Sequence, residues 1–287
     1  MARIAIIGGG GMGEALLAGL LRAGRQVKDL VVAERLADRA DYLSNKYSVR
    51  MASVGSAVET ADFVIVAVKP SDAESVVAVI AELAAQADSD TVEQVLISVC
   101  AGITTAFYEA RLPAGSPVIR VMPNAPALVG AGVSALAKGR FATDKHLAQA
   151  STLFESVGAV VTVPESQLDA VTAVSGSGPA YFYLFVEALV DAAVANGLQR
   201  AIATDLVAQT MAGSAAMLLE RIDDERTAGT DTGLDTTPAR LRAMVTSPAG
   251  TTAAGLRELE RGAVRAAVTA AVDAAKTRSE QLGITSE

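Results

Sequence analysis

The sequence predicts an α/β protein of two domains, a mostly parallel, doubly wound sheet domain followed by an all-helical domain. Three observations lead to this fold class. Short apolar runs that do not alternate with polar residues recur along residues 1–164, as in strands covered on both faces. Helical patterns separate these runs, and from residue 165 onward only helical patterns remain. We therefore expect a sheet domain at residues 1–164 and a helical domain at residues 165–287.

The composition excludes several classes of function. Hydrophobic residues make up 51% of the 287 residues, which is ample for buried cores, and a net charge of −8 argues against a nucleic-acid partner. With one cysteine and one histidine, the chain cannot form an internal disulfide or a His/Cys metal cage, so no metal site is predicted. The first residues lack the pattern of a signal peptide or a membrane span, so we expect a cytoplasmic protein with no membrane partner.

The predicted strands are apolar runs closed by turn residues. The third is stopped by Lys69-Pro70, the fourth ends near Gly102, and the fifth is stopped by Pro123-Asn124. The seven predicted strands are residues 3–7, 30–34, 63–68, 95–99, 118–122, 133–136 and 159–163.

Helices are predicted where apolar residues recur every three to four positions. The helix at 181–196 is apolar all round and should be deeply buried. The polar stretch 222–237 contains Gly229 and Gly233 and is predicted to be a loop. The predicted helices are residues 13–23, 36–47, 71–87, 143–156, 181–196, 201–221, 238–245, 251–260 and 264–281.

Gly8, Gly10 and Gly13 form the pattern G-x-G-x-x-G between the first strand and the first helix. In this setting the first glycine permits a tight turn, the second lets the backbone approach a pyrophosphate, and the third lets the helix pack close to the strand. The alternative is a flexible turn without function. The second strand ends at Glu34, where an acidic residue would bond a ribose, and this favours a dinucleotide. We therefore predict a Rossmann-like domain and an NAD(P)H-dependent reductase.

The residues after the second strand leave the choice of dinucleotide open. The carboxylate of Glu34 favours NAD, whereas Arg35 and Arg39 offer a basic pair for the 2′-phosphate of NADP. Both arginines are equally compatible with a solvated helix face.

Ligands of doubly wound sheets bind beyond the carboxyl ends of the strands. Lys69 there could reach a phosphate or ribose, and Asn124 could bond a carboxamide or ribose, although a surface lysine and a turn residue are the plain alternatives. Cys100 is interpreted as a small packing residue beside the cleft. The predicted cofactor-binding residues are Gly8, Gly10, Gly11, Met12, Gly13, Glu34, Arg35, Ala67, Val68, Lys69, Pro70, Cys100, Ala101, Gly102 and Asn124.

Two loops in the helical half carry hydroxyl groups and glycines at helix starts. They are SGSGPAY at residues 175–181 and TSPAGTT at residues 246–252. Hydroxyls and free amides at a helix N-terminus form an anion site, so Ser175 is predicted to bind a small carboxylate substrate. Simple helix capping is the alternative.

These motifs together resemble the pyrroline-5-carboxylate reductase family over essentially the whole chain. The most specific match is PARLRAMVTSPAGTTAAGLRELE at residues 238–260, and VKP at 68–70, MPN at 122–124 and SGSGPAY agree in order and spacing. The resemblance implies reduction of L-1-pyrroline-5-carboxylate to L-proline with NADPH, NADH being possible. It also implies a helical dimerisation domain and a homodimer that assembles into a decamer.

The resemblance further implies the roles of the second loop. The substrate carboxylate and ring would be held by Ser247, Gly250, Thr251 and Thr252, and Thr252 would be the catalytic residue at the ring nitrogen. The chain departs from the family pattern at Gly11, where a polar residue is common, and at Ala249, where many members have glycine. The polar stretch 223–237 also looks longer than usual.

Two rival interpretations remain. One is another NAD(P)-dependent imine or hydroxy-acid oxidoreductase, but hydroxy-acid enzymes usually need a catalytic lysine, and the chain has none between Lys145 and Lys276. The other is a non-catalytic dinucleotide-binding protein, which would bind NADPH without turnover.

Overall fold

A computed structural model describes residues 2–86, 93–228 and 236–284. The strands among these residues are β1 (Ile4–Ile7), β2 (Leu30–Ala33), β3 (Arg50–Met51), β4 (Phe63–Val66), β5 (Val95–Ser98), β6 (Val118–Met122), β7 (Gly132–Lys138) and β8 (Gly158–Thr162). They form one sheet in the order β3-β2-β1-β4-β5-β6-β7-β8, in which only the β6–β7 pair is antiparallel. The predicted mostly parallel sheet is confirmed, with the two-residue edge strand β3 as an addition.

Helices connect the strands and account for most of the regular structure that follows the sheet. They are α1 (Gly11–Arg22), α2 (Ala37–Tyr47), α3 (Val54–Val58), α4 (Ala73–Gln86), α5 (Thr105–Glu109), α6 (Asp144–Phe154), α7 (Leu168–Val171), α8 (Gly178–Ala195), α9 (Arg200–Thr227), α10 (Thr237–Met244), α11 (Thr251–Arg261) and α12 (Val264–Ile284). Three of these helices, α3, α5 and α7, have five residues or fewer and were not predicted, because so short a segment shows no periodicity.

The predicted loop at 222–237 is wrong in its first part. Residues 222–227 continue α9, and their charges suit a helix because Arg221 lies 3.6 Å from Asp224 and Arg226 lies 3.7 Å from Asp223, three positions apart in each case. Residues 229–235 of the predicted loop lie outside the described residues, as does the predicted end of α4 at residue 87.

Strand β1 shows why the apolar runs do not alternate with polar residues. Its side chains point to opposite faces of the sheet in turn, and both faces are covered. Ile4 and Ile6 join the core beneath α1, whereas Ala5 and Ile7 join a second core beneath α4. The four residues are at most 1% exposed, so every position in the strand has to be apolar.

The described chain divides into two compact units. Unit 1 is Met1–Pro179 with Val272–Glu287, and unit 2 is Ala180–Ala271. The sheet ends at Thr162, but unit 1 continues because Glu165 accepts hydrogen bonds from the backbone amide and the hydroxyl of Thr105, at 2.7 and 2.6 Å. The end of α12 is attached to unit 1 by the Ser279 hydroxyl, which donates to Asp169 at 2.6 Å. The domain boundary at residue 164 stays a prediction.

The expected deep burial of the helix at 181–196 is wrong for the chain by itself. Its apolar side chains lie on the surface, with Phe182 59% and Leu184 68% exposed. Helix α9 likewise exposes Ile202 and Leu206. Apolar surface of this extent marks an interaction face, so the cover that the sequence pattern requires must come from outside the chain.

Helices α1 and α2 are joined by a charged cluster around Glu14. Its carboxylate accepts hydrogen bonds from Lys46 at 2.9 Å and Tyr47 at 2.8 Å, and it pairs with Arg39. Burial alone would raise the pKa of Glu14, but these hydrogen bonds outweigh burial and lower it to about 2. Glu14 is therefore charged throughout the physiological range and holds α2 against α1.

We expect Glu14→Gln to lower the stability of the protein by about 2 kcal/mol at pH 7, because an uncharged amide replaces a carboxylate that accepts charged hydrogen bonds. The pKa of Glu14 is depressed in the folded state, so its contribution is complete above about pH 4.5, the ordinary value, and is lost as the pH falls toward 2. The difference in thermal unfolding midpoint between wild type and Glu14→Gln should therefore decrease as the pH falls from about 4.5 toward 2.

Glu74→Gln is the control for this measurement. Glu74 pairs with Arg111 at 3.4 Å on the surface, so its removal should cost less than about 0.5 kcal/mol. A gap between wild type and Glu14→Gln that stays constant from pH 7 to pH 3 would contradict the proposed role of the Glu14 charge.

Candidate functional site

The glycine turn lies where the direction of strand order reverses. The chain runs outward from β1 to β2 and β3 and then returns to β4 on the other side of β1. The Gly8 amide donates to Ala33 at the end of β2, at 2.8 Å, and the Ala67 amide donates to Ile7 at the end of β1, at 2.7 Å. The loops that follow these strands therefore diverge around a crevice at the carboxyl edge, the usual ligand site of an open α/β sheet.

The geometry of the turn accounts for its glycines. Gly8 has φ +106°, and a Cβ there would lie 2.5 Å from the carbonyl oxygen of Ala67. A Cβ on Gly13 would lie 1.9 Å from the carbonyl oxygen of Gly8, so α1 can pack this closely only without a side chain. A Cβ on Gly10 would meet nothing within 4 Å. Gly10 therefore leaves its backbone accessible to a phosphate, as the motif predicts.

A cleft of about 570 Å³ opens beside this turn. That volume suits a small-molecule ligand. Seven of the predicted cofactor-binding residues line it, namely Gly8, Gly10, Glu34, Arg35, Ala67, Val68 and Lys69. Among the described residues, its lining does not include the other eight, which are Gly11, Met12, Gly13, Pro70, Cys100, Ala101, Gly102 and Asn124.

The three residues that could discriminate between NAD and NADP, Glu34, Arg35 and Arg39, lie in different environments. Glu34 accepts hydrogen bonds from the amides of Gly9 and Leu36, each at 2.8 Å. Arg39 donates from Nε to the carbonyl oxygen of Gly9 at 2.7 Å. Arg35 lines the cleft with a side chain that is 81% exposed, and Asp72 lies 3.9 Å away. Arg35 is therefore the most accessible of the three to a ligand.

Cys100 is a packing residue, as its sequence context suggested. The residue is buried, and its Sγ donates to the carbonyl oxygen of Val68 at 3.3 Å. Burial raises the pKa of the thiol, which keeps it protonated and unreactive. Gly102, at φ +78°, packs against the backbone of Gly283, so this loop connects the sheet edge to the end of α12.

Asn124 and Ser175 are brought together within unit 1, a pairing that the sequence did not indicate. The Asn124 side-chain oxygen accepts from the Val133 amide at 2.9 Å, and its nitrogen donates to the Ser175 hydroxyl at 3.3 Å. Ser175 lies in a π-helical turn, Thr172–Gly176, of the kind often found at functional sites. The serine oxygen is the acceptor in this contact.

The loop at 246–252 belongs to unit 2. The Gly250 amide donates to the carbonyl oxygen of Ser247 at 3.0 Å, and Gly250 then caps α11, so Thr251 and Thr252 occupy its exposed first turn. The first-turn amides of a helix have no partner within the helix and favour an anion. Ala249 has φ +58°, a left-handed conformation that glycine adopts more readily.

The histidine is engaged elsewhere. Its Nδ1 accepts from the Thr143 amide at 3.2 Å, and its Nε2 lies 3.2 Å from Glu93. The first of these contacts is part of the cap of α6, so His146 stabilises the start of a helix.

Comparisons with known proteins give one consistent result. Residues 165–282 match the family model described as pyrroline-5-carboxylate reductase dimerisation, and residues 3–102 match that described as NADP oxidoreductase coenzyme F420-dependent. A pyrroline-5-carboxylate reductase of Mycobacterium tuberculosis is 67% identical over 291 aligned residues, which cover 100% of this chain and 99% of that protein.

Solved structures agree. A pyrroline-5-carboxylate reductase from Coxiella burnetii is 32% identical with a TM-score of 0.86, and the alignment covers 98% of both chains. A Plasmodium falciparum pyrroline carboxylate reductase with NADP bound is 30% identical with a TM-score of 0.82, again over 98% of both chains. The predicted fold class and family are confirmed.

We expect Gly13→Ala to abolish dinucleotide binding and lower the unfolding midpoint, because the added methyl group collides with the Gly8 carbonyl. Gly11→Ala is the matched control for the unfolding midpoint, which it should not lower, since a Cβ there meets nothing within 4 Å and alanine favours the helix by about 0.5–1 kcal/mol. Thermal unfolding and titration with NADPH measure both effects. Unchanged NADPH affinity in Gly13→Ala would show that the close packing of α1 is not required.

Proposed function

This chain belongs to the pyrroline-5-carboxylate reductase family, and we propose that it transfers hydride from NADPH to L-1-pyrroline-5-carboxylate, giving L-proline. The activity is the last step of proline synthesis and makes the chain an oxidoreductase that uses a nicotinamide dinucleotide. Residues 238–260 carry the specific part of this assignment, because the glycine turn alone indicates only a dinucleotide.

The residues of unit 1 fit the dinucleotide. Gly8 and Gly10 leave room for a pyrophosphate beside the first amides of α1, and Lys69 and Arg35 supply positive charge along the same cleft. When bound, the nicotinamide supplies a hydride that adds to C5 of the imine ring, and the C=N electron pair moves onto the ring nitrogen. The asparagine side chain at 124 contributes by holding Ser175, and the Cys100 loop contributes packing.

The residues of unit 2 suit the substrate. We propose that the first-turn amides of α11, at Thr251 and Thr252, bind its carboxylate together with the hydroxyl of Ser247. The observation that carries this assignment is the Gly250 cap, which leaves these amides at an exposed helix start in the family's signature segment.

Thr252 is the residue we assign to the ring nitrogen. Its hydroxyl accepts a hydrogen bond from the protonated imine and so holds the proton on nitrogen while C5 is reduced. The protonated imine is already electrophilic, so positioning and charge compensation are sufficient, and a strong acid is not required. This agrees with a chain whose one histidine caps a helix.

The activity is tested by incubating the purified protein with pyrroline-5-carboxylate and following oxidation of NADPH by its absorbance. We expect turnover, and its absence with both NADPH and NADH would overturn the proposed function. Thr252→Ala should lower kcat/KM for pyrroline-5-carboxylate by about tenfold or more and leave the Kd for NADPH unchanged.

Thr252→Ser is the matched variant, because it keeps the hydroxyl. We expect it to recover most of the lost kcat/KM. Equal losses in the alanine and serine variants would show that the methyl group is the part that matters, which would contradict the hydrogen bond to the ring nitrogen.

We propose that Arg35 gives the enzyme its preference for NADPH. Its exposed guanidinium in the cleft suits the 2′-phosphate, and charge-assisted hydrogen bonds of this kind contribute about 1.5–3 kcal/mol. Arg35→Ala should therefore raise the KM for NADPH by about tenfold or more and leave that for NADH unchanged.

Lys28→Ala removes the same charge from the opposite end of β2 and serves as the control. We expect it to leave both KM values unchanged. An equal loss for NADPH and NADH in Arg35→Ala would contradict recognition of the 2′-phosphate.

The chain forms oligomers and acts on a small molecule. We propose a homodimer that assembles into a decamer, in which partner chains cover the apolar faces of α8 and α9.

Two segments, Glu165–Ala195 and Arg200–Thr227, are long and apolar enough to cross a membrane, but both fall within the dimerisation match. We therefore propose subunit contacts and a cytoplasmic enzyme. Light scattering tests the assembly, and cell fractionation tests the location.

A further inference from the structure

The glycine turn contains four consecutive glycines, Gly8–Gly11, yet one of these residues is held by side chains from outside the turn. Glycine loses more backbone entropy on folding than any other residue, so a run of four is intrinsically mobile. Gly9 lies within the run, and side chains from the β2–α2 segment bind both of its backbone groups. Glu34 accepts from its amide at 2.8 Å, and Arg39 donates to its carbonyl oxygen at 2.7 Å.

Both of these side chains are themselves fixed. The second oxygen of Glu34 accepts from the Leu36 amide at 2.8 Å. The guanidinium of Arg39 also pairs with Glu14, whose side chain is 15% exposed. The lowered pKa of Glu14, about 2, keeps that partner charged.

The space around Gly9 is fully used. A Cβ there would lie 2.5 Å from Cδ1 of Leu43 and 3.2 Å from the carboxylate of Glu34. The turn therefore sits against α2 as closely as its backbone allows.

We infer that Glu34 and Arg39 are positioning residues that clamp Gly9 through its amide and its carbonyl oxygen, and so preorganise the glycine turn for the pyrophosphate. The inference rests on the proposed use of a dinucleotide by this cleft. It assigns both residues a role different from the one that their sequence positions suggest, which is recognition of the ribose by Glu34 and of the 2′-phosphate by Arg39.

The clamp and direct recognition of the ribose or 2′-phosphate predict different effects on the binding of NADPH and NADH. The pyrophosphate is common to NADPH and NADH, so loss of the clamp should weaken both by the same factor. A ribose ligand would matter chiefly for NADH, and a 2′-phosphate ligand only for NADPH.

The test measures the Kd of NADPH and of NADH by titration in the absence of pyrroline-5-carboxylate, for Glu34→Gln and Arg39→Lys. Glutamine has one acceptor oxygen in place of two, and lysine cannot reproduce the planar fork of arginine. We expect both variants to raise both Kd values by about tenfold, with NADPH and NADH affected equally.

Lys46→Met is the control, since Lys46 binds Glu14 at 2.9 Å from the exposed side of the same cluster. It should leave both Kd values within about twofold. A loss confined to NADH in Glu34→Gln, or to NADPH in Arg39→Lys, would overturn the clamp in favour of direct recognition.

Hydrogen exchange in the cofactor-free wild type provides a measurement that does not depend on the variants folding. The clamp predicts that the Gly9 amide exchanges at least about tenfold more slowly than the Gly11 amide. Equal exchange of the two amides would overturn it. Normal binding of both dinucleotides without reduction of pyrroline-5-carboxylate would instead contradict the proposed function and leave the clamp intact.

Discussion

The carbonyl oxygen of Gly8 lies 1.9 Å from the position that a Cβ on Gly13 would occupy, and the arrangement of the cleft depends on this contact. It brings the first turn of α1 directly over the end of β1. The same helix makes a second close approach at Gly19, where a Cβ would lie 2.3 Å from a methyl group of Val157. Helix α1 therefore packs closely through glycines at two positions along its length, and this fixes the direction of its first amides.

Close packing at a glycine places the helix but leaves a mobile turn in front of it. Glu14, the residue after Gly13, links the position of the helix to the order of the turn. It pairs with Arg39, and Arg39 donates a hydrogen bond to Gly9. The charged cluster between α1 and α2 therefore acts on the same few residues as the glycine contact. A single carboxylate contributes both to the packing of two helices and to the order of the turn.

The sheet was predictable because its strands are covered on both faces and so consist of continuous apolar runs. The edge strand β3 is partly exposed and two residues long, so it gives no such pattern. The sequence pattern predicts too short a helix α9 because residues 223–227 are polar, although opposite charges three positions apart are compatible with a helix. A sequence pattern reveals a strand or helix through the burial and periodicity of its apolar residues. This signal is weak in edge strands of a sheet and on solvent-exposed faces of helices.

The location of the candidate cleft was predictable from the sequence, but the contacts of its residues were not. Glycine spacing indicated the cleft, and Gly8, Gly10, Glu34 and Lys69 all line it. The partners of a side chain depend on tertiary contacts, so the sequence could not separate Arg35 from Arg39 or pair Asn124 with Ser175. A motif identifies which residues are near a ligand, whereas hydrogen bonds already made within the protein decide which of them are available to it.

In unit 2, the loop at 246–252 that we propose to bind the substrate also depends on contacts made by other parts of the protein. In the part of unit 2 that the structure describes, Val190 and Ala203 are the only apolar residues that are buried. Two residues cannot offset the conformational entropy of helices α8 to α11, which amounts to about 1 kcal/mol or more per residue. The missing apolar contacts have to come from outside the unit, as in obligate oligomers whose subunits are not stable alone. The loop at 246–252 connects two of these helices, so its geometry depends on the contacts that stabilise them. The substrate role that we propose for this loop therefore implies that substrate binding is coupled to assembly.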